Sequence, residues 1–272
     1  MKPAPRYLIN TTDIELWPAS LRRARSNADA RILSRADWLL RRKRDGRYLA
    51  AVIGAEQNLM PLVTRLAREP GIDEALDRLD NMAALLRHLA HGQDADDLPI
   101  RHLRQRLDAL GIEASAYMAR TGLPLHAEPQ WLMFAGHDRY RRPLWLTAAA
   151  ARAWSHMRHA ASDDGIALEA ISGYRSHAYQ AAIFERKRSR GQIVDGILKV
   201  NAAPGFSEHH TGNALDISAP GEPPVDESFE TTAAFAWLQR NADGHGFRMS
   251  FPRDNPHGVV YEPWHWHHET AQ

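Results

Sequence analysis

The sequence predicts an α+β protein in two parts: a mainly helical N-terminal region, then a region in which short strands and helices alternate. Three observations predict this. Apolar residues recur at helical spacing through much of residues 28–110. Around Thr121-Gly122-Leu123-Pro124 the texture changes, and glycine, proline and aromatic residues become more frequent. No regular strand–helix–strand repeat runs along the chain, which argues against a doubly wound parallel sheet. The expected division is 1–122 and 123–272.

The elements follow in order. Ala28–Arg44 carries Ile32, Leu33, Ala36, Leu39 and Leu40 at helical spacing. Glu56–Arg68 continues the pattern, with Pro61 placed to kink it. Asp73–His91 has Leu76, Leu79, Ala83, Leu86 and Ala90 as one stripe, with Gly92 after its end. Ile100–Leu110 is a short helix stopped by Gly111. In the second part, helices are expected over Thr147–Ala161, Tyr179–Arg190 and Thr231–Asn241. Strands are expected over Ala167–Ser172 and Ala214–Ser218, and Val259–Tyr261 leads into the last cluster of polar residues.

The totals limit the chemistry. A length of 272 residues allows one large domain or two small ones. A net charge of +1 gives no global field to recruit nucleic acid or an anionic membrane. Arg22–Arg47 is locally basic, but no aromatic interleaving accompanies it, so a solvated face is favoured over a polyanion site. Cysteine is absent, so any transition metal must be held by His, Asp and Glu. No apolar run approaches the roughly 20 residues of a membrane span. Residues 1–13 lack the apolar core of a signal peptide, so a cytoplasmic location is expected, or a periplasmic one if a signal has been removed.

Two clusters carry the chemistry. Ser207-Glu208-His209-His210-Thr211-Gly212-Asn213-Ala214-Leu215-Asp216 offers an imidazole, a tight turn at Gly212 and a carboxylate on a strand. Glu262-Pro263-Trp264-His265 offers a second imidazole and a spare carboxylate. Two histidines, one carboxylate and a further carboxylate as base are the parts of a mononuclear zinc hydrolase. Spacing alone does not choose among neighbours: His210 abuts His209, and His267 and His268 follow His265. One geometric demand stands out. Residues three apart lie on opposite faces of a regular strand, and Pro263 disfavours helix at Glu262, so the backbone must bend between Glu262 and His265.

The run Ser207-x-His209-x-x-Gly212-x-Ala214-x-Asp216, followed by Glu262-x-Trp264-His265, resembles the VanY-like D-alanyl-D-alanine carboxypeptidases. These belong to the LAS metallopeptidases, which include lysostaphin and the hedgehog signalling domain. Ser172-Gly173-Tyr174-Arg175-Ser176, with Gln180 after it, is similar to the family's arginine motif. Ala203-Pro204-Gly205, Gly246-Phe247 and Ser250-Phe251-Pro252 match as well, and the resemblance spans roughly Glu128–His268. The pattern departs at His267, where the family usually has a basic residue.

The resemblance implies a LAS/hedgehog-type domain with a small antiparallel sheet flanked by helices. It implies one Zn2+ per chain, held by His209, Asp216 and His265, with Glu262 as catalytic base. Arg175 would stabilise the oxyanion, and Ser207, Gln180 and Trp264 would bind substrate or shape its pocket. The implied substrates are peptidoglycan stem peptides or muropeptides, and the implied reaction is release of terminal D-alanine. D,D-cleavage of a pentapeptide and L,D-cleavage of a tetrapeptide both fit. The expectation leans to L,D, because a cytoplasmic D,D-enzyme would attack the cell's own wall precursors. A D-Ala-D-Ala dipeptidase, a cell-wall endopeptidase and a non-catalytic zinc-containing binding module are the alternatives; a pure binder has no need of Glu262 and Arg175.

Overall fold

The computed structural model describes residues 6–54, 57–82, 96–100 and 102–269. The chain forms two compact units, residues 1–99 with 129–133, and residues 100–128 with 134–272.

The first unit is built on an antiparallel meander: β1 (Tyr7–Asn10), β2 (Ile14–Pro18), β3 (Ala36–Arg42), β4 (Tyr48–Ile53) and β5 (Asn58–Pro61). A short helix α1 (Asn27–Leu33), capped by Ser26, connects β2 to β3. A second, α2 (Ile72–Asp80), follows β5. One core cluster joins Ile9, Ile14, Leu16, Leu40 and Val52 to Ile72, Ala75 and Leu79 of α2. A smaller cluster sets Ala19, Leu39 and Ala51 against Ile32 and Leu33 of α1.

This corrects the expected helical N-terminal region. Of Ala28–Arg44, only the part within α1 is helical, and residues 36–42 form β3. Glu56–Arg68 gives β5 and a single 3-10 turn at Leu66–Arg68. The reason is burial on both faces. Trp38, Leu39 and Leu40 are all buried, so β3 reads as a continuous apolar run without the period of two that marks a half-exposed strand. A hairpin signal was present at Asp45-Gly46, where Gly46 takes φ +71° and the chain reverses into β4. In the expected helix Asp73–His91, α2 covers 72–80, and residues 83–91 lie outside the described residues.

The next helices are α3 (Leu103–Leu110), ended by Gly111 as expected, and α4 (Ala114–Thr121), which the sequence reading did not anticipate. Both pack within the second unit, where Leu103, Leu107 and Tyr117 share a core with Phe184, Phe206 and Phe251. Strand β6 (Trp131–His137) pairs with β1 through Trp131–Met133, and β7 (Pro143–Leu146) is its neighbour on the other side.

The remaining elements are α5 (Ala148–Asp163), β8 (Glu169–Ser172), α6 (His177–Arg188), α7 (Val194–Leu198), β9 (Ala214–Ser218), α8 (Ala233–Asn241), β10 (Phe247–Met249) and β11 (His265–His268). The expected α5, β8, α6, β9 and α8 all form. Thr147, Ser176 and Thr232 each cap a helix by accepting from a backbone N–H. The last strand falls at 265–268, within the final cluster that Val259–Tyr261 leads into. Strands β8–β11 form an antiparallel sheet in the order β10-β11-β9-β8. The expected α+β class and flanked antiparallel sheet hold. No described helix is long and apolar enough to cross a membrane.

Candidate active site

The sheet register brings the two clusters together. Strands β9 and β11 are neighbours, and Asp216 lies directly across from His265. His209 sits on a 3-10 turn, Glu208–Thr211, that delivers the chain into β9. Gly212 closes that turn at φ +74°, a conformation that side-chain-bearing residues adopt at a cost. The bend demanded at the last cluster is a tight turn in which His265 N–H donates to the Glu262 carbonyl at 3.1 Å. Pro263 fits the second position of such a turn. The turn returns Glu262 to the ligand side, 4.0 Å from His265 Nδ1.

Ligand atoms of His209, Asp216 and His265 lie within 4.8 Å of one another, and all three residues are buried. The hydrogen bonds define which atoms face inward. His209 Nδ1 donates to the Gly173 carbonyl at 2.8 Å, leaving Nε2 directed at Asp216 Oδ1, 3.3 Å away. His265 Nε2 donates to Glu208 Oε2 at 2.8 Å, leaving Nδ1 3.1 Å from the same Asp216 oxygen. Each imidazole is therefore oriented from behind by an oxygen, the arrangement that holds a metal-ligating histidine.

The charges are unbalanced. Burial would raise the Asp216 carboxyl, but the imidazoles of His209 and His265 outweigh it and hold the group far below its ordinary range. Burial would lower His265, but Asp216 and Glu208 outweigh it and push the ring up to about 10. Glu208 is held at about 2, because His265 and Ser250 overcome its burial. A divalent cation satisfies the same carboxylate that these protons satisfy. The two nitrogen and one oxygen donors, without sulfur, fit zinc and other borderline metals.

The remaining predicted residues line one cleft of about 380 Å3 beside this cluster. Glu262 is raised to about 7, chiefly by burial. Arg175 places a guanidinium nitrogen 3.7 Å from Asp216 and is held by Gln180 Oε1 at 3.1 Å and Ser172 Oγ at 3.4 Å. Gln180 is 1% exposed, and its amide nitrogen donates to the Ala202 carbonyl, so its polar atoms orient Arg175. Ser207 and Trp264 both line the cleft; the Trp264 carbonyl also accepts from the Ile217 N–H, fixing the approach to β11.

The neighbouring histidines have other engagements. His210 Nδ1 donates to the Arg175 carbonyl and Nε2 accepts from Gly205 N–H, and burial keeps the ring well below its ordinary pKa. His268 packs against Phe247, and His267 lies opposite Ala214 on the sheet. Two further functional residues escaped the sequence reading. Glu208 orients His265, and its position next to His209 was a usable signal. Glu128 accepts from Tyr174 Oη and His177 N–H at 2.5 and 2.8 Å, bracing the loop that carries Arg175. Its partners lie 46 and 49 residues away, so no local spacing announces it.

A buried His–Asp–His centre, a carboxylate of raised pKa and a tethered arginine in one cleft define a candidate metallohydrolase. Residues 143–271 match the family model VanY, D-alanyl-D-alanine carboxypeptidase, so the resemblance read from the motifs holds over this stretch. The chain is 38% identical over 128 residues to YodJ of Bacillus subtilis, whose carboxypeptidase name is provisional, covering 44% of this chain and 45% of that protein. It is 26% identical over 125 residues to a D-alanyl-D-alanine carboxypeptidase of Enterococcus faecium, covering 45% and 37%. The LdcB LD-carboxypeptidase structure aligns with a TM-score of 0.46 at 33% identity, covering 49% of this chain and 64% of that one. The matches span less than half the length of both curated relatives.

Proposed function

We propose that this protein is a zinc-dependent carboxypeptidase that releases the C-terminal D-alanine from peptidoglycan stem peptides. One observation carries the reading: the cluster of His209, Asp216 and His265 opens into the same cleft as Glu262 and Arg175. When bound there, zinc would supply Lewis acidity and an acidified water. The residues of the chain supply the rest. Glu262, desolvated and raised to about 7, accepts the proton of the attacking water and returns it to the departing amine. Arg175 aims a fixed guanidinium at the oxygen that gains charge as the carbonyl is attacked. Gln180 and Ser172 hold that guanidinium in place, so little reorganisation accompanies the reaction.

The test uses synthetic tetrapeptide and pentapeptide stems, with the released residue identified by mass. Release of D-alanine from the tetrapeptide alone defines an L,D-enzyme, and from the pentapeptide alone a D,D-enzyme. Replacing Glu262→Ala should retain stoichiometric metal and lower kcat by about 10²–10⁴. Near-normal turnover in that variant would remove Glu262 from the role of base.

A further inference from the structure

The cleft wall has two characters. Near the metal cluster it is polar, with Arg175, Glu262 and His265. Elsewhere it includes Val200, Val225 and Val260, all among the exposed large apolar residues of the protein, and the ammonium-bearing side chain of Lys187. Exposed valines gathered along one cleft are a contact surface for apolar parts of a ligand. Val225 adds a second sign. It takes φ +49°, in the left-handed region that a β-branched residue adopts only under strain, and such strain concentrates at functional sites.

Lys187 lies on α6, seven residues after Gln180. Seven residues are two helical turns, so the two side chains share a face, about 10 Å apart along the axis. Neighbouring cations on this helix are engaged: Arg186 lies over the Tyr179 ring, and Arg188 donates to the Ala109 carbonyl. Lys187 is half-buried, and among the described residues no hydrogen bond or ion pair engages its ammonium. Burial alone acts on it, lowering its pKa, with no carboxylate to offset the effect. A partly dehydrated ammonium on a cleft wall is completed by an anion from the ligand.

We infer that Lys187 recognises a second carboxylate on the substrate, carried upstream of the terminal residue. The inference rests on the carboxypeptidase reading for its direction: the scissile carbonyl lies by Arg175, which Gln180 holds. About 10 Å corresponds to roughly three residues of extended peptide. The carboxylate can therefore sit on a long side chain of the residue whose carbonyl is attacked, or on the residue before it. The valines contact the methyl and methylene groups between these charges. A peptide of small apolar residues with an internal free carboxylate is the substrate class this wall fits.

Two D-alanine-ending peptides test the inference, each paired with its carboxamide twin. One carries the free carboxylate on the side chain next to the terminal alanine, the other on the preceding residue. Release rates and calorimetric Kd values are read with the zinc-loaded protein. In one pair the carboxylate form should be favoured about tenfold in kcat/KM and in Kd, the scale of one charge-assisted hydrogen bond. That ratio should fall to about one in Lys187→Met and persist in Lys187→Arg, which guards against a folding defect. A wild-type protein indifferent to both pairs, or a preference that survives Lys187→Met, overturns the inference. A Lys187-dependent binding preference without any release of D-alanine supports this inference and overturns the carboxypeptidase reading beneath it.

Discussion

The two units treat buried charge in opposite ways. In the first, Glu15 receives Arg41 at 2.5 Å and the Trp17 indole N–H at 2.7 Å. Arg42 is gripped by Asp45 at 2.5 Å and Glu69 at 2.7 Å. There Glu15 and Arg42 each meet opposite charge, and these two groups are balanced. In the second, one Asp216 oxygen faces two imidazole nitrogens, Glu208 and Glu262 stand nearby, and protons must fill the deficit of positive charge. Balanced charge marks architecture; a deficit at converging donor atoms marks a place for a cation.

Substitutions can break this contrast. Its strongest test is Asp216→Asn set beside Glu15→Gln. Asp216→Asn should lower zinc affinity by more than about 100-fold, beyond the range typical of residues that only orient ligands, and turnover should go with it. Glu15→Gln should destabilise the fold by about 1–3 kcal/mol and leave metal content unchanged. Equal effects of the two changes on metal content would erase the distinction. Next in size is Glu208→Gln, which keeps the shape but weakens the hold on His265 Nε2. Zinc affinity should fall about 10–100-fold in a competitive chelator titration.

Glu128→Gln probes the bracing of the Arg175 loop. It should reduce kcat/KM about tenfold while zinc stays bound, because misplacing a charge-stabilising group by a fraction of an ångström weakens it. Loss of metal in this variant would make the residue part of the metal scaffold instead. The smallest effect belongs to the balanced groups of the first unit. The hydrogen bond from Arg42 holds Asp45 below its ordinary value of 3.8, against its partial burial. Its stabilisation is therefore present above about pH 4 and is lost as pH falls through the lower, folded-state value. In thermal melts, Asp45→Asn should trail the wild type near neutral pH, and the gap should close towards pH 2.

The site was more legible than the fold around it. His209 and Asp216 sit seven residues apart on one turn and strand, and Glu262 and His265 three apart on one turn, so each half is a local pattern. Glu128 was invisible because its partners are distant in sequence. The N-terminal sheet was misread for a related reason. Strand β3 is covered on both faces, by α2 on one and α1 on the other, and continuous burial removes the alternation by which a strand is known.

By itself the sequence determined the kinds of donor: no cysteine, histidines and carboxylates gathered in two short clusters, and helices whose caps and apolar stripes are written within a few residues. Those are short-range properties, fixed by neighbours along the chain. Only the tertiary structure decided that Asp216 stands opposite His265, which nitrogen of each ring turns inward, and that the first unit is a sheet. Those outcomes depend on strand pairing and on partners tens of residues away, where loop closure and shared burial, rather than local preference, select the arrangement.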